Sequence, residues 1–184
     1  MDYELVLRAQ QGDVDAFSLL TSGRTARLYA AARLILRDDD RASDAVQDAL
    51  LLAWRDLRAL RDPDRFDGWL HRLLVHSCFR VARRERKRDV LELRLAMADR
   101  SGSDAQQDVA IRDQLERGFR HRTTDQRAVL VLRHYVGLSL AEAADVLGVP
   151  LGTVQSRLNR ATQAMRAALE ADERAADLAA EAVS

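Results

Sequence analysis

Cysteine, proline and glycine are all scarce in this chain of 184 residues, and their shortage excludes several classes of structure. Cys78 is the only cysteine, so neither an internal disulfide nor a cysteine-based zinc site can form. Two prolines and eight glycines are too few for the many turns of an all-β fold. No apolar run approaches the roughly 20 residues of a membrane span, and the acidic, polar start MDYELVLRAQQGD is unlike a secretory signal. A cytoplasmic protein is therefore expected.

The abundant residues are Ala, Leu, Arg, Asp and Glu, a composition that favours helix. Apolar spacing predicts helices over residues 2–11, 14–20, 25–36, 42–60 and 66–88. The stretch DRSGSDAQQD is polar and without periodicity, which indicates a linker. We predict an all-α fold of two small helical domains joined by a flexible linker, both too small to share one large core. The predicted boundaries are 1–94 and 111–170 for the domains, 95–110 for the linker and 171–184 for a tail.

Charge is balanced overall but unevenly placed along the chain. The 29 basic and 29 acidic residues exclude a globally basic nucleic-acid binder but not a locally basic one. Residues 80–88 carry six basic side chains and one acid, whereas five aspartates lie between residues 38 and 48. This separation suits a protein with two unlike partners, one anionic and one basic.

The segment 139–165 has the pattern of a helix-turn-helix. Ser139 and Glu142 form a capping box at the start of a helix, and Gly148 is placed to end it in the left-handed conformation. A second helix follows with an apolar stripe on one side and polar or basic side chains on the other. Such helices can place Arg, Asn and Gln against base edges. The predicted DNA-facing residues are Thr153, Gln155, Ser156, Arg157, Asn159 and Arg160.

Residues 127–169, which include GLSLAEAADVLGVPLGTVQSRLNRA, resemble region 4 of the extracytoplasmic-function sigma factors, small transcription initiation factors of the sigma-70 family. In that family this region recognises the promoter −35 element with its second helix. Residues 44–55 (DAVQDALLLAWR) resemble region 2.2, which binds the β′ clamp of RNA polymerase. The resemblance implies that Asp44, Gln47 and Asp48 are polymerase-binding, and their spacing places them on one helix face.

Residues 66–72 (FDGWLHR) and the basic run that follows resemble regions 2.3 and 2.4, which open the −10 DNA and capture a flipped base in the preceding loop. An exposed loop over residues 60–67 can enclose an unstacked base, and an arginine-rich helix can neutralise phosphates. Phe66 and Trp69, three residues apart, are predicted to pack in the core. The predicted −10 residues are Arg61, Asp64, Arg72, His76, Arg80, Arg83 and Arg84.

Two positions depart from the family pattern. His76 stands where the family often has Asn, and Gln155 replaces a common basic residue, which should weaken one −35 contact. The resemblance otherwise covers nearly the whole chain. It implies a sigma factor with three kinds of partner: core RNA polymerase through the β′ clamp and β flap, promoter DNA, and an anti-sigma factor.

Other classes of protein are less well supported by the pattern. An enzyme is not expected, because no phosphate loop, nucleophile elbow or paired-acid motif occurs. No cofactor or metal is expected either, since His71 and His76 are five apart on one helix and point in different directions. A response regulator is not expected either, because it would need a strand-bearing receiver domain and the sequence has no strand pattern. A stand-alone helix-turn-helix regulator, which binds duplex DNA without polymerase, remains an alternative.

Overall fold

The computed structural model describes residues 2–96 and 123–181, and these residues form helices with no strand among them. The first half contains α1 (Asp2–Gln10), α2 (Val14–Leu36), α3 (Asp39–Asp56) and α4 (Phe66–Ala96), with short 3₁₀ helices at Leu57–Ala59 and Pro63–Arg65. The second half contains α5 (Thr124–Leu130), a π-helical stretch at Val131–Val136, α6 (Leu140–Leu147) and α7 (Leu151–Glu181). The predicted all-α class is confirmed. The predicted linker lies outside the described residues, except for residues 95–96.

Helix α2 is continuous where the sequence pattern predicts two helices, 14–20 and 25–36. It runs through Gly23 as one helix of 23 residues. A glycine in a helix interior costs about 1 kcal/mol relative to alanine. Leu20, Leu28 and Ile35 lie on the buried face of α2, and the burial of each such side chain contributes about 1.5–3 kcal/mol. Tertiary packing therefore outweighs the local preference for a break.

Helix α3 begins three residues earlier than its apolar spacing predicts. The carboxylate of Asp38 accepts the backbone N–H of Arg41 at 2.8 Å and so caps the first turn. At the other end, α3 stops at Asp56, and the 3₁₀ helix Leu57–Ala59 replaces its predicted last turn. These differences arise at helix ends, where caps decide the boundary and apolar spacing carries little information.

The buried side chains of the two halves form one continuous hydrophobic cluster. Leu28 of α2 and Leu74 of α4 belong to it, together with Val129 of α5 and Leu147 of α6. Helix α2 packs against α5, and α4 packs against α6. The expectation that the halves are too small to share a core is therefore wrong. A small helical unit buries only part of its apolar surface by itself, and here each half covers the remaining apolar face of the other.

Hydrogen bonds from arginines to backbone carbonyls also join the halves. Arg27 Nη2 donates to the carbonyl of Val136 at 3.2 Å, and Arg72 Nη2 donates to the carbonyl of Asp145 at 2.5 Å. In the opposite direction, Arg127 Nε donates to a carbonyl in the last turn of α2. All three acceptors lie near helical C-termini, where carbonyls lack intrahelical partners and positive charge is favourable.

His71 lies beside a cavity of about 390 Å³ that is lined by both halves. Its Nδ1 is 2.7 Å from the carbonyl oxygen of Asp67 and must carry the proton, because a carbonyl can only accept. Its Nε2 is buried and has no hydrogen-bond partner among the described residues. Burial lowers the pKa of His71, and the nearby Arg27 and Arg24 lower it further, against the opposing effect of Asp67. The folded protein therefore favours the neutral imidazole.

Gly148 and Gly23 have different backbone conformations, so replacing each with alanine is predicted to change the stability in opposite directions. Gly148 ends α6 with φ of 64°, a conformation that costs an L-residue roughly 1–2 kcal/mol. Gly23 lies inside α2, with open space where a Cβ would stand. We expect Gly148→Ala to lower the free energy of unfolding by about 1 kcal/mol and Gly23→Ala to raise it by about 0.5–1 kcal/mol. Urea unfolding of both variants measures the difference, and shifts of equal sign would contradict it.

The half-buried imidazole of His71 predicts a loss of stability in mild acid. An unfolded histidine takes up a proton near pH 6.5, but folded His71 resists protonation because its pKa is lowered. Its contribution is therefore complete above about pH 6.5 and is lost as the pH falls through the folded pKa. We expect His71→Gln to weaken this pH dependence of the melting temperature, whereas His134→Gln, at an exposed histidine, leaves it intact. Identical profiles for wild type and His71→Gln would refute the assignment.

Candidate nucleic-acid interface

Helices α6 and α7 form the helix-turn-helix that the sequence predicts. Both arms of the capping box are present: Ser139 Oγ accepts the N–H of Glu142 at 3.2 Å, and Glu142 Oε2 accepts the N–H of Ser139 at 2.8 Å. Val154 and Ala161 of α7 are fully buried, and Leu158 and Met165 pack against α5 beside them. Because this stripe faces inward, the opposite side of α7 faces solvent.

Three of the predicted −35 residues lie on the exposed side of α7. Gln155, Asn159 and Arg160 are exposed, and Gln155 and Asn159 lie one helical turn apart. Thr153 and Ser156 are half-buried, and the Ser156 hydroxyl donates to the Thr153 carbonyl at 3.0 Å. The exposed amide and guanidinium groups have the chemistry that recognises adenine and guanine edges.

Arg157, unlike these three exposed residues, is bound to another helix of the protein. Its Nη1 lies 3.3 Å from Oδ1 of Asp125 on α5, and its side chain is only 28% exposed. The ion pair joins the second helix of the helix-turn-helix to α5, so a DNA contact by Arg157 would compete with Asp125. Sequence spacing places Arg157 near the recognition face, but only the packing of α5 against α7 brings Asp125 within reach.

The segment between α3 and α4 presents Arg61 and Asp64 to solvent. Asp62 Oδ1 accepts the N–H of Asp64 at 3.1 Å and so starts the 3₁₀ turn at Pro63. The aromatic side chains that follow point inward: Phe66 is buried, and Trp69 is half-buried with its ring centroid 6.0 Å from that of Phe66. Their predicted role in core packing is confirmed.

Helix α4 carries the remaining predicted −10 residues, of which Arg72, His76, Arg83 and Arg84 are exposed. Arg72 is already bound to the second half through its hydrogen bond to the α6 backbone. Burial and the neighbouring Arg72 guanidinium lower the pKa of His76, so its neutral form is favoured. Arg83 and Arg84 lie farther along the same helix, beyond Arg72 and His76 in its first turns.

An acidic face on α3 lies beside this basic helix. Asp44 and Gln47 are exposed, whereas Asp48 Oδ2 lies 3.2 Å from Nη2 of Arg80 on α4. Helix α3 is further joined to α4 by an ion pair of 2.6 Å between Arg41 and Glu85. A groove of about 620 Å³ runs between the two helices. The predicted polymerase-binding residues are thus brought together, but Asp48 is shared with Arg80, a predicted DNA contact.

Leu51 and Trp54 extend the acidic face and are not among the site residues that the sequence pattern predicts. Leu51 is 69% exposed and Trp54 is 38% exposed. They continue the spacing of Asp44 and Gln47 by four and then three residues, which keeps them on the same helix face. That continued spacing is the signal that could have found them, because it sets them apart from the buried alanine stripe of α3.

The described part of the chain contains neither a metal-binding cluster nor a membrane-spanning helix. No group of three or more His, Cys, Asp or Glu residues within 2–96 and 123–181 is arranged to hold a metal ion. Among the helices of those same ranges, none is long and apolar enough to cross a bilayer.

Two sequence families match this chain. Residues 24–88 match Sigma-70 region 2, and residues 123–165 match Sigma-70, region 4. The chain is 36% identical over 162 residues to ECF RNA polymerase sigma factor SigM of Mycobacterium tuberculosis, covering 87% of this chain and 80% of that protein. It is 32% identical over 182 residues to RNA polymerase sigma-H factor of Pseudomonas aeruginosa, covering 92% and 94%.

Solved structures with the same arrangement of helices include two complexes. CnrH, solved with the cytosolic domain of CnrY, is similar with a TM-score of 0.68 and 31% identity, covering 93% of this chain and 98% of that one. Sigma factor RpoE from Bartonella quintana, solved with the anti-sigma factor NepR, is similar with a TM-score of 0.68 and 26% identity, covering 86% and 99%.

Proposed function

The chain belongs to the extracytoplasmic-function sigma factors of the sigma-70 family, which direct RNA polymerase to specific promoters, and on this premise we propose which surfaces carry out each step. Residues 1–94 bind core polymerase and open the −10 element. Residues 111–170 recognise the −35 element, residues 95–110 link the two units, and residues 171–184 form a tail.

The observation that carries this proposal is the opposite charge of two faces on one helix pair. Helix α3 presents Asp44 and Gln47, and helix α4 presents Arg83 and Arg84 beside them. The acidic face fits a basic protein surface, and the basic face fits DNA phosphates. A protein that bound only DNA would need the second face but not the first. A stand-alone regulator is therefore not favoured.

The polymerase-binding face extends beyond the carboxylates. Leu51 and Trp54 supply apolar area next to Asp44 and Gln47, and the Trp54 ring is supported by an edge contact with Phe17 at 5.1 Å between centroids. A rigid aromatic side chain surrounded by polar residues is a frequent anchor of protein interfaces. The face is assigned to the β′ clamp, and the helix-turn-helix half is assigned to the β flap.

Promoter contacts are assigned by exposure and chemistry. Gln155, Asn159 and Arg160 recognise −35 bases, and the exposed segment with Arg61 and Asp64 receives an unpaired −10 base. Thr153, Ser156 and Arg157 lie on the same helix beside these residues, where Ser156 bonds to the Thr153 carbonyl and Arg157 anchors the helix to Asp125. The −10 duplex is further contacted along α4 by Arg72, His76, Arg80, Arg83 and Arg84. None of these roles requires a cofactor or a catalytic residue.

Regulation by a separate protein follows from the contact between the halves. Arg72 donates to the carbonyl of Asp145, so it can reach DNA only after the halves move apart. The similar sigma factor RpoE was solved with an anti-sigma factor. A partner of that kind, acting in the cytoplasm, would hold this chain in its closed arrangement and cover its polymerase-binding face.

Run-off transcription on a pool of genomic promoter fragments tests the proposed function. Core polymerase alone and the chain alone should give no promoter-specific transcript, whereas the two together should give discrete products. Specific binding of the chain to promoter fragments without core, combined with no stimulated transcription, would instead support the stand-alone regulator.

Alanine at both Asp44 and Gln47 should weaken binding to core polymerase without unfolding the protein, because both side chains are exposed. Loss of a charge-assisted contact at an interface costs about 2 kcal/mol or more. Fluorescence titration with labelled chain measures the dissociation constant. The matched control is Glu4→Ala with Gln11→Ala, which likewise removes one carboxylate and one amide at exposed positions of the α1 region. Equal affinities for the two double variants would remove α3 from the interface.

Arg160→Ala and the pair Arg83→Ala with Arg84→Ala should weaken promoter binding in different ways. Arg160 is assigned to a base edge, so its loss should reduce discrimination at one −35 position by about 1–3 kcal/mol. Arg83 and Arg84 are assigned to phosphates, so their loss should weaken binding to every sequence and reduce the salt dependence. Holoenzyme affinity for single-base promoter variants at several salt concentrations separates the two effects. A reversed pattern would exchange the assignments.

A further inference from the structure

Gln10, the last residue of α1, uses both N–H donors of its side-chain amide to hold the turn after α3. Its Nε2 donates to the carbonyl of Leu57 at 3.1 Å and to the carbonyl of Leu60 at 2.7 Å. An amide nitrogen has only two hydrogens, so both are engaged. In return, the backbone carbonyl of Gln10 accepts a hydrogen bond from Arg58 Nε at 3.1 Å. Three hydrogen bonds thus join one residue to a turn about 50 positions farther along the chain.

This turn decides where the chain leaves the α3 side of the molecule. Leu60 ends the 3₁₀ helix in an extended conformation, with φ of −72° and ψ of 108°, and its N–H donates to the Leu57 carbonyl at 3.1 Å. Only two residues, Arg61 and Asp62, separate Leu60 from the next 3₁₀ helix. The direction of the exposed Arg61 and Asp64 is therefore set by the two carbonyls that Gln10 holds.

Gln10 is itself held by a rigid connection between α1 and α2. Gly12 has φ of 96°, a conformation for which glycine is suited. Asp13 Oδ2 forms an ion pair of 2.7 Å with Arg8, and Asp13 Oδ1 accepts the N–H of Ala16 at 2.9 Å to cap α2. The position of Gln10 is thus fixed relative to both α1 and α2.

We propose that Gln10 is a positioning residue that fixes the Leu57–Leu60 turn so that the exposed segment after it can receive an unpaired −10 base. The proposal rests on the promoter role assigned above to that segment. It gives α1 a function in −10 recognition, although α1 lies outside residues 24–88 that match Sigma-70 region 2. Gln10 acts through the backbone of the segment rather than by touching DNA.

The first arm of the test uses the free protein and needs no polymerase. Gln10→Glu keeps the side-chain shape but replaces the NH₂ group, and with it both donor hydrogens, by a carboxylate oxygen that faces two carbonyl oxygens. Limited trypsin digestion followed by mass spectrometry measures cleavage after Arg58 and Arg61. We expect roughly tenfold faster cleavage at these two sites, because the loss of two hydrogen bonds raises the open population by about that factor. Gln11→Glu, at the exposed neighbour, should leave the rates unchanged.

Two outcomes of this arm would overturn the proposal. Equal cleavage after Arg58 and Arg61 in Gln10→Glu and Gln11→Glu would show that Gln10 does not hold the turn. Faster cleavage at sites throughout the chain of Gln10→Glu would show a general structural role, without local positioning.

The second arm measures initiation by holoenzyme on promoters with single-base changes in the −10 or the −35 element. Gln10→Glu should lose most discrimination among −10 bases while −35 discrimination and co-purification with core stay at the Gln11→Glu level. A parallel fall in all three properties, or unchanged −10 preference, would refute the positioning role. If wild-type holoenzyme fails to initiate at all, the proposed function fails, and the digestion arm alone decides whether Gln10 holds the turn.

Discussion

The packing of α2 and α4 against α5 and α6 is the constraint on which the rest of the structure depends. Each half has an apolar face that it cannot cover alone, and the shared cluster buries Leu28, Leu74, Val129 and Leu147 together. Apolar burial is the dominant favourable term in folding. The hydrogen bonds from arginines to carbonyls between the halves fix the relative orientation of the halves, because each bond requires one helix end to lie opposite one guanidinium. Separation of the halves therefore exposes apolar surface, which a partner such as polymerase must compensate.

The ion pairs between α3 and α4 serve mainly to set geometry. Arg80 with Asp48 and Arg41 with Glu85 are partly exposed, with side-chain exposures between 29% and 41%. Pairs of this kind contribute at most about 1 kcal/mol each. They do, however, lie between an acidic and a basic face, and they fix the relative position of the two faces. On the assignment proposed above, protein and DNA partners would then be bound side by side on this helix pair.

In the closed arrangement, in which the two halves pack together, parts of the proposed DNA surface are already bound to other residues of the protein. Arg72 is bound to α6 and Arg157 is bound to Asp125, whereas Gln155, Asn159, Arg160, Arg83 and Arg84 remain exposed. The proposed −35 helix, α7, is therefore largely accessible in this arrangement, and the first turns of α4 are less so. On the residue assignments proposed above, a change in the distance between the halves would affect the DNA contacts of Arg72 more than those of the exposed α7 side chains.

Local patterns in the sequence determined the helical class, the helix-turn-helix, its capping box and the left-handed Gly148, because each depends on residues within one or two turns of one another. They also placed Asp44 and Gln47 on one exposed face. Tertiary structure alone decided that α2 continues through Gly23, that the halves share a core, and that Leu51 and Trp54 remain uncovered. It likewise decided the partners of Arg72, Arg157 and Gln10. Those contacts join residues from about 30 to 70 or more positions apart, and the spacing of side chains along one helix carries no information about which other helix it meets.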